Sequence, residues 1–204
     1  MIEDELPELS PTLFNETYNA DVVKKLTLDI IHNSPLPKIY IRFADMILKP
    51  NEPILLKEGV VVTKQGLYLT SLNMEISDDA FVKLADTLET MSSQIELKDG
   101  RILSKLDLYL EAIEHNPENP EPFFHLGLSM SDKEDEMIKI KDGTEFTKFE
   151  ILHKVIELEP KNWRAYYEIA SLIPVNQTSI QLRNGKKIIK RKFYLKTLDL
   201  NPDH

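Results

Sequence analysis

Between Ile95 and Gly127 the hydrophobic pattern changes period twice. Ile95 and Leu97 alternate with polar residues into Asp99-Gly100, the period of a strand entering a turn that needs positive φ. Leu108, Tyr109, Ala112 and Ile113 then fall at i, i+1, i+4 and i+5, which is helical spacing. That helix is expected to stop before Pro117, because proline cannot continue it. A second apolar stretch, "EPFFHLGLSM", begins at once. The segment therefore predicts an extended turn, a helix, a proline stop and a second helix.

The same order recurs along the chain. Segments beginning at Ile54, Ile95, Ile138 and Ile180 align on glycines 59, 100, 143 and 185, spaced by 41, 43 and 42 residues. Five residues after each glycine stands a lysine: Lys64, Lys105, Lys148 and Lys190. Leu67, Leu108, Ile151 and Phe193 keep one helical register, and Leu72, Ile113, Ile156 and Leu198 another. Prolines 117, 160 and 202 close three units, and Pro35 is expected to close an earlier one. Ser104 with Asp107, and Thr147 with Glu150, have the spacing of capping boxes. Thr63 is expected to cap alone, and Ile189 leaves the last helix start weaker. The expected units are 22–53, 54–94, 95–137, 138–179 and a partial 180–204, preceded by an acidic arm, 1–21.

These residues resemble the tetratricopeptide repeat. The resemblance rests on Phe123-x2-Leu126-Gly127-x2-Met130 and Tyr166-x2-Ile169-Ala170-x2-Ile173 in the first helix of a pair. Tyr109-x2-Ala112 before Pro117 carries it in the second. Tyr40-x2-Phe43-Ala44 and Phe81-x2-Leu84-Ala85 follow the pattern more loosely. The family's unit is about 34 residues; here it is longer, and the surplus falls between the two helices of each unit as "I-x-L-K-D-G". The resemblance implies an all-α solenoid of stacked antiparallel helix pairs, with short extended or hairpin segments inside each unit. These segments are expected to pack their Ile and Leu on the helices and to line up along one edge.

Composition narrows the function. Net charge is −9, which disfavours generic binding to nucleic acid. The 204 residues include no Cys, so disulfides and thiolate zinc sites are excluded. No apolar run approaches the length of a membrane-spanning helix, and the acidic N-terminus is the reverse of a signal peptide. A cytoplasmic location is expected; its Lys, Ile and Asn usage hints at a bacterial source, and delivery into a host cell cannot be read from it. The ends differ in sign. Residues 1–22 carry six acids and no Lys or Arg, whereas residues 180–204 carry seven basic residues against two acids. That asymmetry makes salt-dependent, head-to-tail self-association a second reading.

Catalytic patterns are missing: no HExxH, GxSxG, Walker A or GxGxxG occurs, so neither enzyme chemistry nor a cofactor or metal is expected. A regulatory part of an enzyme is the least favoured reading. His32 and His115 precede closing prolines, where a histidine satisfies helix-end carbonyls. His125 and His153 are not expected to share a metal. The recurrent lysines stand where a cation opposes the helix dipole. Each is therefore expected to have a compensating partner, with Glu58, Asp99 and Asp142 the nearest acids. A basic ladder for an acidic ligand is the functional alternative. Trp163 either packs between repeats or serves as a binding anchor.

The resemblance also implies where a ligand would sit. In tetratricopeptide arrays the first helices line a concave groove that takes peptides. By register the groove positions are Ile41, Val82, Phe124 and Tyr167, with Glu121 and Arg164 one turn earlier and Leu128 and Ser171 one turn later. The expected function is a non-enzymatic scaffold that holds a protein or a peptide, an amphipathic helix or extended apolar segment.

Overall fold

The computed structural model describes residues 36–47, 53–55, 61–131, 136–181, 185 and 187–202. The acidic arm, the helix expected before Pro35 and the turn at Glu58-Gly59 lie outside them. The described residues form eight helices and eight short strands. In order these are α1 (Pro37–Met46), β1 (Ile54–Leu55), β2 (Val61–Val62), α2 (Lys64–Met74), α3 (Asp78–Asp86), β3 (Gln94–Glu96), β4 (Ile102–Ser104), α4 (Lys105–His115), α5 (Pro120–Ser129), β5 (Met137–Lys139), β6 (Glu145–Thr147), α6 (Lys148–Leu158), α7 (Trp163–Leu172), β7 (Ser179–Gln181), β8 (Lys187–Ile189) and α8 (Lys190–Leu200). Each odd helix packs on the even helix that follows it, and each even helix packs on the next odd one. The result is an α-solenoid of antiparallel pairs with a β-hairpin inside every pair. Each helix–hairpin–helix pair (37–74, 78–115, 120–158 and 163–200) forms one unit, and these pairs cross the unit boundaries expected from the sequence.

The hairpins follow from the turn residues. Gly100 (φ 82°) donates its N–H to the Leu97 carbonyl at 3.0 Å, and Leu97 donates to Arg101 at 2.8 Å. A three-residue loop with glycine last is the geometry that positive φ permits. Gly143 (φ 92°) repeats it between Ile140 and Thr144. The turn acids hold these loops: Asp99 accepts from Arg101 N–H at 3.0 Å, and Asp142 from Thr144 N–H at 2.7 Å. Pairing centres on Ile95 opposite Leu103, Ile138 opposite Phe146 and Ile180 opposite Ile188. Leu97, Ile138 and Ile188 turn into the core. The hairpins do not join along an edge. Among the described residues each is a separate two-stranded sheet.

Each return strand runs straight into a helix; β4, β6 and β8 end on the N-cap residue itself, and β2 ends one residue before it. Ser104 and Asp107, and Thr147 and Glu150, form capping boxes. Thr63 accepts from Gly66 N–H alone, and Ile189 gives no side-chain cap. The next residue is the recurrent lysine, and it reaches a backbone carbonyl across the unit. Lys64, Lys105, Lys148 and Lys190 donate Nζ to the carbonyls of Ile47, Leu88, Met130 and Ile173, at 3.0, 2.9, 3.0 and 2.7 Å. Those carbonyls end the first helix of the same unit, where the dipole is negative and carbonyls lack intrahelical partners. The interaction that disfavours a cation at a helix start is offset across the unit by the end of the antiparallel neighbour. Carbonyls thus stand where Asp99 and Asp142 were the expected partners, and Glu58 lies outside the described residues.

The core is one continuous cluster from Ile41 to Ile188. Small residues set the spacing of the pairs: Ala44, Ala85 and Ala170 are fully buried, and Gly127 holds their position in the third unit. A Cβ built on Gly127 would stand 2.7 Å from Leu152 Cδ2, so α5 approaches α6 too closely for alanine. Polar ties join successive units. Asn116 and Asn119, between α4 and α5, donate to Asp78 at the start of α3 at 3.0 and 2.7 Å. Partial burial pushes Asp78 up, but these two amides outweigh it and hold the carboxyl below its usual range. Lys141, at the third hairpin tip, pairs with Glu111 and Glu114 on α4.

Candidate functional site

The first helices α1, α3, α5 and α7 present one face in common, and its residues can be followed by register. Asp45, Asp86, Leu128 and Ser171 occupy one row, and Arg42, Lys83, His125 and Glu168 another. In the first two units the rows form a ladder. Asp45 accepts from the Tyr68 hydroxyl of its own unit at 2.6 Å and pairs with Lys83 of the next at 2.8 Å. Asp86 accepts from Tyr109 at 2.6 Å and pairs with His125 at 2.9 Å. Tyr68 and Tyr109 are buried, so each rigid ring aims a donor at one carboxylate. Burial, and then the neighbouring carboxylate, raises both phenols far above their ordinary value.

His125 sits between two acids. Nδ1 faces Asp86, Nε2 lies 3.3 Å from Glu121, and the Tyr109 ring lies beside it. The hydrogen bond to Asp86 raises its pKa against the opposing effect of burial, with Glu121 adding to the rise. Charge-assisted bonds of this kind are the stronger ones. Its partners are carboxylates on α3 and on its own helix, which gives it a place in the ladder.

The ladder stops after α5. Leu128 replaces the acid and Leu152 the tyrosine in the third unit, and Ser171 and Tyr194 hold these places in the fourth. Here the face becomes apolar. Leu128 is 43% exposed and Tyr167 38% exposed, and the Tyr167 ring meets Tyr194 edge-on at 6.1 Å between centroids. Glu121, Arg164 and Ser171 are also exposed. Ile41, Val82 and Phe124 are buried to 6%, 5% and 7%, so these three groove positions fill the space between helices and offer a partner almost no surface. Trp163 is half-buried, with the Arg164 guanidinium 5.5 Å from its ring. The sequence-derived set thus divides into five surface residues, three of them around α7, and three core residues. The ladder residues Asp45, Lys83, Asp86 and Tyr68 were missed. Their signal was present in the 41-residue spacing of both Asp45/Asp86 and Tyr68/Tyr109.

No protein-family model matches the chain, and no curated protein does. Among solved structures it is similar to YrrB, described as a TPR protein with an unusual peptide-binding site. Identity is 16% over 91% of this chain and 95% of that one, with a TM-score of 0.34. Among the described residues, no helix is long and apolar enough to cross a membrane.

Proposed function

We propose that the chain is a protein-interaction scaffold that holds a peptide or partner protein on the face of its first helices, over α5 and α7. The observation that carries this reading is the pair of large apolar side chains, Leu128 on α5 and Tyr167 on α7, exposed where the ladder ends. Aromatic and aliphatic anchors surrounded by polar groups are the pattern of an interface centre. Glu121, Arg164 and Ser171 supply that polar surround. In the first two units the position of Leu128 is an ion-paired aspartate and that of Tyr167 a buried Ile41 or Val82, so binding is confined to the C-terminal half of the face.

Leu128→Ala/Tyr167→Ala removes the anchors without opening the core. Captured partners should be lost from the double variant in a pull-down and retained by Asp45→Asn, which lies at the other end of the face. Equal capture by wild type and the double variant would refute the assignment.

Self-association is the second reading, and one observation favours it. Leu198 of α8 is 47% exposed, whereas Leu72 and Ile113 at the same register are covered, at 8% and 6%. Sedimentation equilibrium at low and high salt separates the two readings. A species that dissociates as salt rises supports charge-assisted assembly, and a monomer at both removes it.

A further inference from the structure

The hairpin tip of the second unit overhangs a cleft of about 360 Å³ between the end of α2 and the start of α3. Leu72, Phe81 and Leu97 make a buried floor. Met74 and Ile76 stand at its mouth, 41% and 54% exposed, and Lys98 overlooks it from the turn. One unit further on the corresponding lysine is clamped from within: Lys141 reaches down to Glu111 and Glu114 on the helix beneath. Register puts Lys98 where Lys141 stands, and Thr70 and Asn73 where the two glutamates stand. The Thr70 hydroxyl is committed to the Gly66 carbonyl at 2.8 Å. Two acids also line the cleft. Asp99 is engaged by Arg101 at 2.8 Å, and Glu75 at the end of α2 makes no ion pair with Lys98.

We propose that this cleft is a second binding site, for an acidic peptide segment. A bulky apolar side chain of the peptide enters between Met74 and Ile76, and an adjacent carboxylate meets Lys98. The incoming acid does for Lys98 what Glu111 and Glu114 do for Lys141 within the chain. Apolar contact supplies the affinity and the ammonium selects the charge. The site lies among residues 72–76 and 97–101, separate from Leu128 and Tyr167, and does not depend on the function proposed above.

The test is an NMR titration of the full chain, amide by amide, with the capped pentapeptide acetyl-Asp-Leu-Glu-Phe-Glu-amide as probe. Saturable shifts are expected over residues 72–76 and 97–101. Affinity should fall at least tenfold in Lys98→Ala. It should fall as far in Thr70→Glu/Asn73→Glu, which restores the internal clamp. A peptide with Asn and Gln in place of its acids should bind equally poorly. Lys98 and Asn73 are exposed and Thr70 half-buried, and the thermal midpoints of both variants should match wild type. The proposal is overturned by the absence of saturable shifts, by shifts confined to α5 and α7, or by cleft binding of unchanged affinity in both variants. It is also overturned if dilution alone moves the cleft resonances, which would place a second copy there.

Discussion

Two single residues carry much of what makes the unit close. Gly127 is set by distance: its backbone conformation is ordinary helix, but Leu152 occupies the space of a side chain. Gly127→Ala should therefore lower the urea unfolding free energy by about 1–3 kcal/mol, in line with overpacking elsewhere, although alanine is the better helix former. A gain in stability would show that α5 and α6 part at little cost. Lys105 is set by charge. Its ammonium satisfies the Leu88 carbonyl, and a hydrogen bond to a charged group contributes about 1.5–3 kcal/mol. Lys105→Met keeps the apolar stem and removes the donor. A loss of about 1–2 kcal/mol is expected by urea denaturation, and an unchanged midpoint would mean that water serves the carbonyl equally well.

At the scale of the element, helices were legible where local rules set them. Ser104 and Thr147 announce their helices, Pro117 and Pro160 end the ones before, and the glycine-bearing turns follow from Asp-Gly. What was not legible is what crosses between elements. The sequence shows that lysines recur at helix starts. It does not show that the neighbouring helix ends opposite them, because an antiparallel partner's carbonyl leaves no trace in residue type. The nearest acids were the natural guess, and they turned out to hold their own loops. The ladder was hidden for a similar reason, since Asp86 and His125 are 39 residues apart and meet only across stacked units. Their coupling has a pH signature. His125 faces Asp86, Glu121 and the Tyr109 ring, and its folded pKa is raised. Its contribution to stability is complete below the unfolded value of about 6.5 and is lost as pH rises through the folded value. Comparing His125→Gln with wild type by urea midpoint at pH 5 and pH 8 should show a larger deficit at pH 5. The difference should stay within about 1 kcal/mol, as for other partly exposed pairs. A deficit that grows with pH would invert the assignment.

Over the whole molecule, repetition with local departures is the informative pattern. Solenoid stability is nearly a sum of unit and neighbour terms, so a place where one unit departs from the rest need not disturb the fold. The departures here are Leu128 where acids stood, and Thr70 and Asn73 where acids stand one unit later. Both leave surface uncommitted. Of the groove positions read from family register, Glu121, Leu128, Arg164, Tyr167 and Ser171 are exposed on α5 and α7, whereas Ile41, Val82 and Phe124 lie in the core, because burial depends on how closely successive pairs pack. The anchors should be separable in function: Leu128→Ala/Tyr167→Ala should leave pentapeptide shifts at residues 72–76 intact, and Lys98→Ala should leave partner capture intact. Cross-talk between the two would mean a single extended interface.

The lysine bond to the first helix spans 17 or 18 residues and closes within its own unit. It clasps the neck of a ring, and the hairpin is the body of that ring. Chain added at the tip thus lengthens a loop whose neck is already clasped, and each doubling of such a loop costs only about 0.6 kcal/mol. The unit can accept foreign cargo at Gly143 while the helices beneath keep their register, which makes each hairpin a port for grafted sequence.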